Sequence, residues 1–89
     1  SEKASNDKYL VESLLGLANI YLHYDDKRRA QEILETAFDL AKAHAFTREL
    51  RETTIMLAQL HERTNGEKFL QCMHELYTLE KETLKGGVI

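Results

Sequence analysis

Proline occurs nowhere in this 89-residue sequence, and glycine occurs only four times, at Gly16, Gly66, Gly86 and Gly87. Proline removes a helical N–H and glycine is entropically costly inside a helix, so their near absence leaves few places where a helix must stop. The remaining signal is periodicity. Apolar residues recur at three- and four-residue spacings through the chain, which reads as a succession of amphipathic helices. Tyr9, Leu10, Leu14, Leu17, Ala18 and Tyr21 form a first stripe, and Ala30, Ile33, Leu34, Ala37, Phe38, Leu40 and Ala41 a second. Leu50, Ile55, Met56, Leu57, Ala58 and Leu60 form a third, and Phe69, Cys72, Met73, Leu76 and Leu79 a fourth, widened by Leu70, Tyr77 and Leu84.

Three breaks separate the stripes. Asp25 and Asp26 interrupt the first, and either carboxylate can cap a helix by accepting backbone N–H bonds. His44, Ala45 and Phe46 read as a short connector, with Thr47 as the N-cap of the next helix. Thr64, Asn65 and Gly66 read as a turn, since Asn and Gly tolerate positive φ. The expectation is therefore an all-α fold of four helices near 6–24, 26–44, 47–64 and 66–84, with a short tail at 86–89. Connections this short make neighbouring helices antiparallel, giving two helix pairs in one domain spanning 1–85.

Composition narrows the function. With 12 Lys and Arg against 15 Asp and Glu, the formal net charge is -3, which gives no pull toward nucleic acid. Lys27, Arg28 and Arg29 are the only basic run and read as a solvated helix start. No stretch approaches the roughly 20 apolar residues of a membrane span. Cys72 is the only cysteine, so no internal disulfide forms, and an intracellular, reducing setting is expected. No two of His23, His44, His61 and His74 stand three or four residues apart, so no helix offers a ready metal pair. Cys72 and His74 point to different sides of a helix, which disfavours a Cys–His catalytic pair and leaves Cys72 as a small core residue. No glycine-rich phosphate loop is present. The chain is not expected to be an enzyme or to hold a cofactor.

The two helix pairs are offset by about 40 residues, and an internal repeat at such a period is the signature of a solenoid. Leu14, Leu17, Ala18, Tyr21, Ala30, Leu34 and Ala37 resemble the pattern of a tetratricopeptide repeat, with small residues where helices approach and large ones around them. The second pair departs from it. Leu70 and Tyr77 fall at small-residue positions in the same register; a turn two residues longer, the preferred register, places Cys72 at the first small position and Leu76 at the aromatic one. The family's late proline is missing from both units, and the spacing is longer than the common one of about 34 residues. The chain thus looks like the longer-helix subtype, arranged as a fragment of a right-handed superhelical stack.

That resemblance implies a protein-interaction module whose first helix in each pair lines a groove for a peptide or an extended partner segment. The groove positions it implies are Glu12, Leu15, Asn19, Leu22 and His23 in the first pair, and Glu52, Ile55, Gln59, Glu62 and Arg63 in the second. Asn19 and Gln59 offer carboxamides that can both donate to and accept from a peptide backbone. Leu15 stands where carboxylate-clamping repeats carry lysine, and Glu12 and Glu52 repel an anion, so a basic or neutral segment suits the groove. Two other readings stay open. One is a structural or oligomerisation unit of a larger scaffold, such as a cell-cycle or chromosome-associated repeat subunit, with self-association through Leu70, Tyr77 and Leu84. The other is the sensor domain of a peptide-responsive regulator. The apolar C-terminal Ile89 would suit a PDZ domain, but Gly87 replaces the usual hydroxyl residue two before the end.

Overall fold

The computed structural model describes the backbone of residues 2–87 and the side chains of residues 5–82. Four helices account for almost all of it: α1 (Glu2–His23), α2 (Lys27–Ala43), α3 (Thr47–His61) and α4 (Gly66–Gly87), with no strand among the described residues. α4 continues to Gly87, beyond the expected end at 84, so Gly86 and Gly87 are helical, while residues 88 and 89 of the expected tail lie outside the described residues.

The first two turns share one backbone device. After α1, the Asp26 N–H donates to the Tyr21 carbonyl at 2.8 Å and the Asp25 N–H to Leu22 at 3.0 Å. After α2, the Phe46 N–H donates to Ala41 at 2.9 Å and the Ala45 N–H to Lys42 at 3.2 Å. This pairing closes a helix with one residue in the left-handed region, and here that residue is Asp25 at φ 60° and Ala45 at φ 55°. Asp26 caps α2, its carboxylate accepting from the Arg29 N–H at 3.3 Å. Thr47 does not cap α3. Phe46 occupies that position without a side-chain bond, and the Thr47 hydroxyl turns back to the Ala45 carbonyl at 3.5 Å. At the third turn no glycine has positive φ. Asn65 instead caps α4, accepting from the Lys68 N–H at 3.1 Å, and Gly66 is the first residue of that helix.

Ion pairs between elements fix the helix directions. His44, just after α2, reaches Asp7 near the start of α1 at 2.7 Å, so the first pair is antiparallel. Arg51 near the start of α3 meets Glu80 late in α4 at 3.8 Å, so the second pair is antiparallel too. Glu35 meets Lys68 at 3.7 Å and Lys42 meets Glu75 at 3.0 Å, so α2 and α4 run parallel. α2 packs on both α1 and α3, and α3 packs on α4, but among the described residues no Cα of α4 comes within 8 Å of one in α1 or α2. A closed four-helix bundle would bring α4 back beside α1. The molecule is instead an open slab, 42 × 33 × 17 Å.

The core lies between these layers. Val11, Leu15 and Ala18 from α1 meet Leu34, Ala37 and Ala41 from α2, with Leu50 and Leu57 from α3 and Leu79 from α4. Within the repeat pattern, Ala18, Ala30, Leu34 and Ala37 are buried and Leu14 and Tyr21 half-buried, whereas Leu17 is exposed. Tyr9 and Leu10 are exposed as well. The reason is that α1 is apolar on two sides, so periodicity alone cannot choose between the Leu10–Leu17 side and the Val11–Ala18 side. On α3, Ile55 faces outward and Thr53 and Thr54 take its expected place inside. Their hydroxyls donate to the Glu49 and Leu50 carbonyls one turn back, at 2.7 and 2.6 Å, which removes the penalty of burying them. On α4, Leu79 is buried and Phe69, Cys72 and Leu76 are half-buried, while Leu70, Met73 and Tyr77 are exposed.

Candidate functional site

The expected groove residues on α3 and in the turn just after it are all exposed. Glu52, Ile55, Gln59, Glu62 and Arg63 face away from Leu50, Leu57, Ala58 and His61, which turn inward. Those of α1 divide. Glu12, Asn19 and His23 are exposed, but Leu15 is only 6% exposed and belongs to the core, because it stands one turn from both Val11 and Ala18. It cannot line an open groove. Leu22 is half-buried and joins Met56, Gln59, Leu60, Glu62 and Arg63 around a shallow recess of about 270 Å³ between the ends of α1 and α3. The fold therefore brings Leu22, Gln59, Glu62 and Arg63 together, while Asn19 is not among the residues lining this recess.

The larger concavity, about 820 Å³, lies elsewhere, between α2 and α4. α3 sits behind both helices and holds them apart, so their inner sides form walls rather than a packed seam. Phe38, Leu57 and Cys72 supply an apolar floor, with His61 among them. Two ion pairs bridge the walls in the same register. Glu35 and Lys42 stand seven residues apart on α2, and Lys68 and Glu75 seven apart on α4, with the signs reversed. Lys42 also lies over the Phe38 ring, 5.5 Å from its centroid. These side chains are partly exposed, so each pair contributes roughly 0–1 kcal/mol and acts more on the spacing of the walls than on stability. Asp39 and Glu67 add two carboxylates to the rim beyond those in the ion pairs.

The chemistry of the floor is muted. His61 is 4% exposed, and burial, helped by the Lys68 ammonium and partly opposed by Glu35, lowers its pKa from the ordinary imidazole value. Burial, with Glu75 alongside, pushes the Cys72 thiol up. A thiol so placed is a poor source of thiolate at neutral pH. Among the described residues no group of three His, Cys, Asp or Glu side chains is arranged to hold a metal ion. No helix of the described chain is long and apolar enough to cross a membrane. Of the residues expected to drive self-association, Leu70 and Tyr77 are 67% and 64% exposed, and the side chain of Leu84 lies outside the described residues.

The sequence reading missed this cleft. Its signal was the pair of sign-reversed, seven-residue charge spacings on α2 and α4, together with a histidine one turn after Leu57 on a buried stripe. Comparison with protein-family models, with curated proteins and with solved structures gives no match for the chain.

Proposed function

We propose that this chain is a non-catalytic protein-interaction module, a tetratricopeptide-like stack of two helix pairs that works inside the cell and holds a segment of a partner protein against its helices. The observation that carries the reading is the α2–α4 cleft. Two parallel helices are held apart over an apolar floor, with side-chain ion pairs bridging them at the rim. A cleft of this kind takes an apolar side chain into its floor while the rim reads the flanking charges. The rim carries Glu35, Asp39, Glu67 and Glu75 against Lys42 and Lys68, so the fitting segment has an apolar anchor flanked by lysine or arginine. The outward strip of Glu12, Asn19, Glu52, Gln59 and Glu62 faces away from this cleft and forms a separate, polar surface.

The test is calorimetric. Two short peptides are compared, one with leucine and phenylalanine flanked by lysines and one with those lysines replaced by glutamates. The lysine form is expected to bind at least about tenfold more tightly, a difference of roughly 1.4 kcal/mol. The double substitution Asn19→Ala and Gln59→Ala, on the side away from the cleft, should leave binding unchanged. Equal affinity for the two peptides, or none for either, overturns the proposal.

A further inference from the structure

From Tyr9 onward, one side of α1 meets solvent without a charged residue among the described residues, in a chain that is 30% charged. Leu10, Leu17 and Tyr24 recur every seven residues along it, and Ser13 and Ile20 each fall three residues after a leucine, the spacing of a coiled-coil seam. The opposite side of the same helix is already spent on the core through Val11, Leu15 and Ala18. Tyr24 is 76% exposed, and Tyr9 beside this side is 73% exposed. Together these side chains present on the order of 500–600 Å² of largely apolar surface, the upper end of what a monomer leaves uncovered.

Gly16 is the second, independent observation. Glycine in a helix interior is less favourable than alanine, so it needs a reason. Among the described residues nothing lies within 4 Å of where a Cβ at Gly16 would stand, so no packing inside the fold requires it. The open space there leaves room for a backbone approaching from outside.

We propose that this side of α1 is the interface with a second copy of the chain, the two α1 helices crossing antiparallel about a two-fold axis between Gly16 and Leu17. That axis sets Leu17 over Gly16 of the copy, Ile20 over Ser13, and Tyr24 beside Tyr9. Each large residue meets a small one or another ring, and no like charges are brought together. The pairing is isologous and closes as a dimer, whereas α1 packed on the α4 side of a copy would propagate into open chains. Both copies together bury on the order of 1,000–1,200 Å², which clears the roughly 1,000 Å² a biological interface needs and belongs to the weak, reversible class. No residue lining the α2–α4 cleft belongs to α1, so the dimer and the partner segment use separate surfaces.

Sedimentation equilibrium of the 89-residue chain over a concentration series tests this, with helicity followed by circular dichroism. The mass is expected to rise from 10.3 kDa toward twice that value and to stop there. Leu17→Glu, at an exposed position, should keep its helicity and weaken the dimer by about 100-fold or more, since it buries a charge at the axis. Gly16→Gln, which adds bulk without charge, should do the same and keeps the test valid if Leu17→Glu loses structure. Tyr77→Glu on α4 should dimerise as the parent does. A monomer at every concentration would assign the face to some other covering element and overturn the proposal. So would assemblies that grow past two, or loss of association in Tyr77→Glu but not in Leu17→Glu.

Discussion

His61 is where residue type and position pull apart. It sits one turn beyond Leu57 on the inward stripe of α3, so the fold buries it although it is polar. Its lowered pKa has a consequence for stability. Below the ordinary value of 6.5 the unfolded chain binds a proton at this site more readily than the folded one. Its contribution is therefore fully present above pH 6.5 and is lost as the pH falls toward the depressed folded value. Urea titrations at about pH 8 and about pH 5 should show the parent chain losing stability on acidification, and His61→Gln losing less. Parallel losses in the two proteins would place the acid sensitivity elsewhere. The same residue scale shows why the stripes were only half legible. Periodicity gives the spacing of an apolar face but not which of two apolar faces turns inward, hence the exchange of Leu10 and Leu17 for Val11 and Leu15. Nor does it anticipate that Thr53 and Thr54 can be buried once each hydroxyl is bonded within its own helix.

At the scale of elements, all four helices were readable, because so few breakers occur and each turn has its own chemistry. The details of the turns were less so. Asp26 and Asn65 cap helices as short polar side chains do, but the left-handed residues are Asp25 and Ala45, and only the first belongs to a type that tolerates this conformation well. Ala45 at φ 55° carries strain of roughly 1 kcal/mol that glycine would relieve. Ala45→Gly should therefore raise stability by about 1 kcal/mol less the extra entropy of the unfolded glycine, seen as a melting temperature higher by a few degrees. A lower melting temperature would mean that the backbone there is not held in the left-handed region.

The whole molecule is set by what fails to touch. Short turns impose antiparallel neighbours, but they do not say whether α4 folds back to α1 or stops on the far side of α3. That choice rests on the shape of the α3 surface, which carries α2 and α4 on one packed side and leaves its Glu52–Gln59 side open. The α2–α4 cleft exists only because of it, which is why its residues, spread over three helices, were not legible as a site. The residues expected to line a groove are exposed on and just after α3 and partly on α1, since exposure follows from helix register, whereas Leu15 is buried and Leu22 half-buried. Amide shift mapping of the isotope-labelled chain, titrated with the lysine-flanked apolar peptide, bears most directly on the proposed role. The expected result is a saturable set of changes centred on Phe38, Leu57, His61 and Cys72. No saturable change, or changes confined to Glu12, Asn19 and Glu52, would contradict the cleft as the docking site.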